Sequence, residues 1–509
     1  MKKSWYALLE DMKLPLTILL LGSLLTGFSS INTDNETIIM IIRAIGYAGA
    51  LMKRLFPLAV LVTLVGHKHE DSITVFVALA CYLLLAVVTM FYTNGSLNSY
   101  FHDTTISAVN TAGNPIYPVN TGIFSPIIIY LIIHSTYQYS RKRYNYGILR
   151  FINNDAFFMI TAILGTVLAG LGISFLYPHI AKYFLRAIRF ISVRSVNPAM
   201  MFVYTIIEKI LDFTGLHSFI ENTFWLGEMG GSWVDVNKVT YLGDVNIWTA
   251  QYLSDSVAKG TGRYVASYYI TNLFMVPALI IGFYANIGNK IDRSKMTGLA
   301  ILALAGALIS GSHVPLEMLL AFTAPGLLII HIILSAGVNM ILSMLGIQLG
   351  YVLKGAIEYA NVGNIFDFIS YFRSAHLHEA ALNMLYVGIS VFAIYLLVTF
   401  LYYRFLSQDF LESEEGRREM KTFVTALGGI NNIEMITSSP VSLIIVLKDD
   451  DRLNGELLIQ GTRALKVTER YFGIYVDYGP GSSELCRKVK REMRDYRSCC
   501  KYHHEAAGQ

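Results

Sequence analysis

The chain has 509 residues, of which 54% are hydrophobic and 15% are charged, with a formal net charge of +4. Soluble domains carry about 25% charged residues, so this composition excludes an ordinary soluble protein and favours a polytopic membrane protein. The basic excess does not indicate nucleic-acid binding, because it divides among clusters beside apolar segments, at residues 2–3, 141–143, 186–194 and 290–295. Such clusters are typical of cytoplasmic loops.

Apolar segments follow one another through most of the chain. Residues 73–91 hold no charge and match the length of about 20 residues that spans a bilayer. Further spans are predicted at residues 14–28, 56–65, 123–133, 157–176, 273–284, 296–309, 316–345 (more than one element) and 385–401. Interruptions by Gly and Pro are typical of transporters built with discontinuous helices, so we predict a polytopic α-helical membrane protein with broken or re-entrant helices. Residues 1–11 are expected to form an interfacial helix rather than a cleaved signal.

A polar break at residues 311–317 (GSHVPLE) separates two of these apolar stretches. His313, Pro315 and Glu317 are costly at bilayer depth, where irregular backbone is tolerated only if it is buried in protein or lines a watery cavity. The break is therefore a candidate binding site.

Two long polar segments interrupt the apolar pattern, at residues 138–155 and 217–264. Long loops inside compact proteins are usually functional. The second segment mixes tryptophans with acids and a histidine, at His217, Glu221, Trp225, Glu228, Trp233, Asp235, Asp244, Trp248 and Asp255. This mixture suits a sugar, whose apolar faces stack on rings and whose hydroxyls bond to acids. An interfacial aromatic belt with solvated acids explains it equally well.

The composition changes sharply after Leu406. We predict a membrane domain over residues 1–406, a linker and helix start over 407–421, a small cytoplasmic α/β domain over 414–500 and a tail over 501–509. Expected elements of the α/β domain are a helix at 414–427, a strand at 442–447, a strand or short helix at 452–458, a strand at 473–476 and a helix at 482–496.

Four cysteines indicate neither a disulfide framework nor a metal site. Cys81 lies in an apolar span and Cys486 on a predicted helix. Cys499 and Cys500, followed by His503 and His504, do not follow the usual spacing of metal ligands. We therefore expect no metal and no cofactor.

Nine short blocks, each weak alone, occur in one order along nearly the whole chain: KLPL at 13–16, NTGIF at 120–124, NYGILRFINNDAF at 145–157, GLH at 215–217, GD at 243–244 with GRY at 262–264 and Pro277, GSHVPLE at 311–317, AP at 324–325 with His331, GAIEY at 355–359, and ALGG at 426–429. Together they resemble the glucose and N-acetylglucosamine group of sugar permeases of the bacterial phosphoenolpyruvate-dependent phosphotransferase system.

The resemblance implies a membrane IIC domain followed by a cytoplasmic IIB domain, in a homodimer of the bacterial cytoplasmic membrane. It also implies a deep sugar site that moves by a rigid-body, elevator-like motion. In that family a IIB cysteine thiolate carries a phosphoryl group to a sugar hydroxyl, which histidine and glutamate in IIC help to activate. The residues expected to bind the sugar here are Asn120, Thr121, His217, His313 and Glu317.

Both halves of that reaction depart from the family pattern. The position of the phosphocysteine is Ser439, whose hydroxyl stays protonated at neutral pH, and the arginines that follow are replaced by Ser442 and Ile444. No catalytic residue is therefore predicted.

Within the membrane domain, the glutamate of the family's Thr-Glu-Pro motif is Val314, and the second histidine after Gly-Leu-His is Ser218. The adjacent His313 either supplies some polar function or bonds a backbone carbonyl, and we favour the carbonyl. Because the losses occur together, we expect the phosphotransfer chemistry to be absent or rerouted.

Three functions remain open. The first is a transporter that moves a sugar or sugar-like solute without phosphorylating it. The second is a membrane sensor or regulator whose IIB-like domain binds a cytoplasmic protein of the phosphotransferase system. The third is an active permease that uses the IIB cysteine of another chain; Val314 argues against it.

Overall fold

The structure is a computed structural model that describes residues 2–30, 35–69, 71–93, 99–104, 106–141, 153–286, 290–353, 361–406, 414–439, 441–470, 473–479, 482, 485–486, 488–490 and 492–493. The GAIEY block, residues 142–152, residues 407–413 and the tail with Cys499, Cys500, His503 and His504 lie outside these residues. The chain divides into two compact units, Met1–Ser407 and Gln408–Gln509.

The described part of the first unit is mainly helical. Its helices are α1 (Lys2–Gly27), α2 (Glu36–Arg54), α3 (Phe56–His69), α4 (Ser72–Thr93), α5 (Phe124–Arg141), α6 (Asn154–Val193), α7 (Pro198–Phe213), α8 (Ser218–Ile220), α9 (Asp244–Leu253), α10 (Ala266–Ile270), α11 (Val276–Ala285), α12 (Lys290–Ser310), α13 (Val314–Thr323), α14 (Pro325–Leu345), α15 (Ile365–Arg373) and α16 (His378–Leu401). Two antiparallel ribbons pair β1 (Ala108–Val109) with β2 (Pro115–Ile116) and β3 (Ser232–Val234) with β4 (Thr240–Leu242).

Several helices meet the requirements of a membrane span. Among the described residues, five are long and apolar enough by length and composition: Ser72–Thr93, Asn154–Val193, Ala266–Ala285, Pro325–Leu345 and His378–Phe405. A sixth arises if α2 and α3, bent by 47° at their junction, count as one span. The prediction of a polytopic helical membrane protein is confirmed at this level, and the segment at 316–345 divides into two helices, α13 and α14, as expected.

The break at residues 311–313 is a backbone crossing. The helix α12 ends at Ser310, and Gly311 has a left-handed φ of 58°. A Cβ on Gly311 would lie 2.2 Å from the carbonyl oxygen of Val362, so only glycine lets the two backbone segments approach this closely. Pro315 then fits the first turn of α13, where a missing N–H costs no helical hydrogen bond.

The helix α7 supplies a polar face inside the first unit. It begins after Asn197, whose side chain accepts a hydrogen bond from the N–H of Ala199, with Pro198 in the first turn. Its fully buried polar residues recur at helical spacing, at Thr205, Glu208, Lys209 and Asp212. Thr205 accepts a hydrogen bond of 2.7 Å from Asn339 of α14, which ties the two helices together.

In the second unit, helices pack beside an antiparallel sheet of order β5-β6-β8-β7. Its elements are α17 (Glu414–Ala426), β5 (Ile433–Ser438), β6 (Ser442–Leu447), α18 (Gly455–Gly461), β7 (Lys466–Arg470) and β8 (Gly473–Asp477). Alternate residues of β6 enter a core that includes Phe423, Leu443, Ile445, Val476 and Val489. The segment predicted as a strand or a short helix at 452–458 is a helix from Gly455, and β5 was not predicted.

Candidate functional site

Charged and polar side chains from three helices meet in the interior of the first unit. Lys209 and Asp212 come from α7, His313 and Glu317 from the start of α13, and His331 from α14; each is at most 2% exposed. We call these five residues the buried charge cluster. Burying charges in an apolar domain is expensive, so such clusters mark functional sites and their members pair with one another.

One oxygen of Glu317 forms both an ion pair with Lys209 and a short hydrogen-bond contact with His331. Its Oε1 lies 2.9 Å from Nζ of Lys209 and 3.0 Å from Nε2 of His331. His331 in turn is bonded through Nδ1 to the hydroxyl of Tyr395 on α16, at 2.6 Å. The other oxygen of Glu317, Oε2, is buried and accepts no hydrogen bond from the described residues. The carboxylate of Glu317 therefore connects α7, α13 and α14 through Oε1, and Oε2 accepts no hydrogen bond from the described residues.

The neighbours of His313 fix its tautomer. Nδ1 of His313 lies 2.9 Å from Oδ1 of Asn272, whose amide nitrogen donates to the carbonyls of Gly311 (2.9 Å) and Val362 (3.1 Å). Because that amide uses its N–H groups on the crossing backbone, its oxygen accepts from Nδ1 of His313. Nε2 then accepts from the ammonium of Lys209, which it contacts. His313 thus bonds side chains, and the preference for a backbone carbonyl was wrong.

His217 connects the buried charge cluster to a more open region. Its Nδ1 contacts Oδ1 of Asp212, and its Nε2 lies 3.6 Å from Oε1 of Glu221. The side chains of His217 and Glu221 are 22% and 21% exposed, whereas Asp212 is fully buried. The ring of Trp225 packs edge-on against His217, with 5.1 Å between centroids. A ring, two carboxylates and an imidazole therefore converge at one partly open place.

The two predicted residues of the NTGIF block have different hydrogen-bond partners, and Asn120 bonds to the residue that follows His217. Its amide donates to the hydroxyl of Ser218 at 2.7 Å, and its backbone oxygen accepts from Tyr177 at 2.7 Å. Thr121 pairs instead with Ser125 at the start of α5. Ser218 therefore has a structural partner.

Val314 lies among apolar side chains rather than in the charge cluster. It packs beside the buried Met12, Leu16 and Phe56. The carboxylates of the site therefore come from other positions: Glu317, one turn along α13 from His313, and Asp212.

Sequence analysis did not identify Lys209, Asp212 or Asn272, and it noted His331 only as part of a motif. A signal for the first two was present, because Lys209 and Asp212 are charged residues within an apolar helix and a charge at that depth needs a partner. Nothing in the sequence pointed to Asn272, because its partners lie far away along the chain.

The cluster is built for an ammonium group rather than for a metal ion. Asp212, His313 and Glu317 place one oxygen or nitrogen each within 4.8 Å of one another. However, Nζ of Lys209 lies 2.9 Å from Glu317 and 3.5 Å from Asp212 and contacts His313. A cation among these atoms would meet the like charge of Lys209 at close range.

Asp244 bonds to backbone at the end of the polar segment 217–264. Its carboxylate accepts hydrogen bonds from the N–H groups of Gly262 (2.9 Å) and Tyr264 (3.3 Å). Burial raises the pKa of Asp244 to about 6, although these two donors act in the opposite direction. Asp244 thus fixes the backbone of residues 262–264 to the start of α9.

The tryptophans of this block have different surroundings. Trp225 and Trp248 are buried, at 2% and 1% exposure, so neither belongs to an interfacial belt. Trp248 packs against Gly350, where a Cβ would lie 2.3 Å from the indole, and donates to Tyr371 at 3.3 Å. Trp248 is therefore structural, and Trp225 is the ring that lies at the site.

Ser439, in the second unit, has its own local partners. Its hydroxyl lies 2.6 Å from the hydroxyl of Ser442 and accepts from the N–H of Ser442 at 3.1 Å. Its backbone oxygen accepts from the hydroxyl of Ser482 at 2.7 Å. Neither of the hydroxyl's partners is a base, so nothing in these contacts activates Ser439 as a nucleophile.

No protein-family model matches the chain. It is similar to the PTS system glucoside-specific EIICBA component of Staphylococcus carnosus (strain TM300), with 26% identity over 393 residues that cover 74% of this chain and 54% of that protein. The chain thus spans about half the length of this curated relative.

Proposed function

We propose that the chain binds a sugar or sugar-like solute within its membrane unit and carries it across the bilayer without its own phosphocysteine chemistry. His217 carries this proposal, since it joins the buried charge cluster to a partly open region beside Trp225. Imidazole and carboxylate groups bond to hydroxyls, and an aromatic ring covers an apolar sugar face. Asn120, His217 and Glu221 are the side chains we expect nearest to the solute, with His313 and Glu317 behind them.

Two positions, Ser439 and Val314, support the absence of phosphotransfer. Ser439 is held by Ser442 and lacks a basic partner among its described contacts. Val314 packs among apolar side chains, and none of these described neighbours can take the proton of a sugar hydroxyl. The chain is thus proposed to bind a sugar without transferring a phosphoryl group to it.

We further propose a domain arrangement in which residues 1–406 form the IIC-like part, residues 414–500 the IIB-like part, and the chain is a homodimer in a bacterial cytoplasmic membrane. Basic residues beside apolar segments favour a cytoplasmic position for the second unit. A cytoplasmic protein of the phosphotransferase system is the expected partner of that unit.

The proposal is tested with the full-length chain in lipid vesicles. Radiolabelled D-glucose, N-acetylglucosamine and methyl β-D-glucoside are supplied separately, and the vesicle contents are separated into free sugar and sugar phosphate. We expect uptake of at least one probe as free sugar. Binding without uptake would favour a sensor, and sugar phosphate formed only after addition of a IIB protein would overturn the proposal.

A further inference from the structure

We propose that His69 and His134 bind a divalent transition-metal ion of the Zn²⁺ type, which fastens the end of α3 to α5. The two histidines are 65 positions apart in the chain, and sequence analysis singled out neither of them. They do not belong to the buried charge cluster, so the proposal does not depend on the transport function.

The two imidazoles face each other across a gap that an ordinary hydrogen bond does not leave. Nε2 of His69 lies 3.4 Å from Nδ1 of His134, whereas hydrogen bonds from N–H groups typically span about 2.7–3.2 Å. The ring centroids are 5.3 Å apart and the ring planes are tilted by 50°. Two rings that shared a straight N–H···N bond of this length would place their centroids farther apart. The nitrogens are therefore near each other without a well-formed bond between them.

A tetrahedral zinc ion accounts for both distances. Zn²⁺ binds imidazole nitrogen at about 2.0–2.1 Å and prefers tetrahedral angles. Two such bonds to one ion place the nitrogens about 3.4 Å apart and the ring centroids about 5.3 Å apart. The observed separations are 3.4 Å and 5.3 Å. The pair thus has the spacing of two ligands of one ion.

Aromatic neighbours hold both imidazole rings in place. Tyr130 stacks on His134, with 5.8 Å between centroids and 12° between planes. Tyr137 packs against His69 at 4.4 Å and lies edge-on to the buried Phe158 at 5.6 Å. Rings that are already oriented lose little freedom when they bind, so the arrangement favours binding of an ion between them.

Gln138 supplies the hydrogen bond that a metal-binding histidine needs at its other nitrogen. Its amide nitrogen lies 2.9 Å from Nε2 of His134. When Nδ1 of His134 binds an ion, the proton of the neutral ring is on Nε2. The amide then turns over, so that Nε2 donates to the amide oxygen of Gln138. Such a partner fixes the tautomer and the ring orientation of a ligating histidine.

The surroundings leave the two nitrogens accessible to a cation. His69 and His134 are half-buried, so water molecules can complete the coordination. Lys68 is exposed, where solvent and salt screen its charge. Arg141 is paired with Asp155 at 3.3 Å. Within the part of the chain that the structure describes, neither cation contacts a ligating nitrogen, in contrast to Lys209 in the buried charge cluster.

The test titrates the purified full-length chain with ZnCl₂ in an isothermal calorimeter. The tail contains four further groups that could take up zinc, so the titrated protein carries Cys499→Ser, Cys500→Ser, His503→Ala and His504→Ala. We expect about one Zn²⁺ per chain in this tail variant. MgCl₂ should give no binding heat, because Mg²⁺ prefers oxygen ligands.

Three further substitutions, each added to the tail variant, locate the ion. His69→Ala should remove this binding, and His179→Ala, at an exposed histidine of α6, is the matched control and should leave it intact. Gln138→Leu should weaken the affinity about tenfold while the stoichiometry stays the same. Unchanged zinc binding in His69→Ala, or no binding in the tail variant, overturns the proposal.

A spectroscopic measurement identifies the ligands even if an alanine variant fails to fold. X-ray absorption at the zinc edge should show nitrogen and oxygen neighbours at about 2.0–2.1 Å and no sulfur in the tail variant. His134→Cys keeps a ligand at this position and should add a sulfur neighbour at about 2.3 Å. A spectrum of His134→Cys without that sulfur would show that the ion binds elsewhere and would overturn the proposal.

Discussion

Lys209 and Glu317 form a buried ion pair between α7 and α13, with 2.9 Å from Nζ to Oε1 and at most 2% of either side chain exposed. The helices are far apart in sequence, and the pair fixes one against the other beside the crossing of residues 311–313 and 361–363. Removing one partner leaves the other charge buried and unpaired, which costs more than the pair contributes to stability.

We therefore expect Lys209→Met to destabilise the protein by about 3–5 kcal/mol, measured as a fall in the apparent melting temperature in detergent. The double variant Lys209→Met/Glu317→Gln should lose less stability than Lys209→Met, because neither charge of the pair remains buried without its partner. Lys259→Met, at an exposed position, is the control and should change the melting temperature little. Equal losses in the single and double variants would contradict the pairing.

Gly311→Ala should disrupt the broken segment. The left-handed φ of 58° is strained for alanine, and its Cβ would lie 2.2 Å from the oxygen of Val362. We expect poor yield or a large fall in the melting temperature, together with loss of sugar binding. Gly337→Ala, within α14 where a Cβ meets nothing within 4 Å, should be neutral or slightly stabilising. A stable, binding-competent Gly311→Ala protein would show that the two segments do not cross as described.

His217→Ala should weaken binding of the sugar that the vesicles accept. A hydrogen bond to a charged group contributes about 1.5–3 kcal/mol, so the dissociation constant should rise roughly 10- to 100-fold. Equilibrium binding of the labelled sugar to the purified chain measures the change. His376→Ala, at an exposed pair with Asp255, serves as the control. Unaltered affinity in His217→Ala would remove this residue from the binding site.

The pH dependence of stability should contain a contribution from Asp244. Its pKa in the folded chain, about 6, lies above the ordinary value of 3.8 for an aspartate, so the folded state binds more protons at intermediate pH. The stability contribution is complete below the unfolded pKa and is lost as the pH rises through about 6. The melting temperature of the parent chain minus that of Asp244→Asn should therefore fall between about pH 4 and pH 6 and level off above about pH 6. A flat difference for Asp244→Asn would contradict the shift.

Ser439→Ala should destabilise the second unit by about 1 kcal/mol, because it removes the oxygen that accepts from the N–H of Ser442. Hydrogen exchange of the intact chain, followed in peptides of β5 and β6, measures the effect. Ser438→Ala, one residue earlier, is the matched control. If exchange in both strands is unchanged, the hydroxyl of Ser439 is not structural.

Sequence patterns predicted the local architecture where the physical cause is local. An uncharged run such as 73–91 predicts a span because its length and hydropathy match the bilayer, and α4 covers it as Ser72–Thr93. The strand at 442–447 coincides with β6, because alternating burial follows from the pleat. By contrast, β5 has a mixed burial pattern, and its place beside β6 depends on pairing along the whole strand.

The sequence by itself determined the membrane character of the chain and the place of its polar break. The membrane character follows from the composition, and the break follows from the local backbone preferences of Gly311 and Pro315. Only the tertiary structure decided which charges lie at that break. Lys209 and Asp212 sit on a helix about one hundred residues away from His313, as the contact between Lys209 and His313 shows. Pairing of buried charges depends on how α7, α13 and α14 pack, and no short-range pattern encodes that packing.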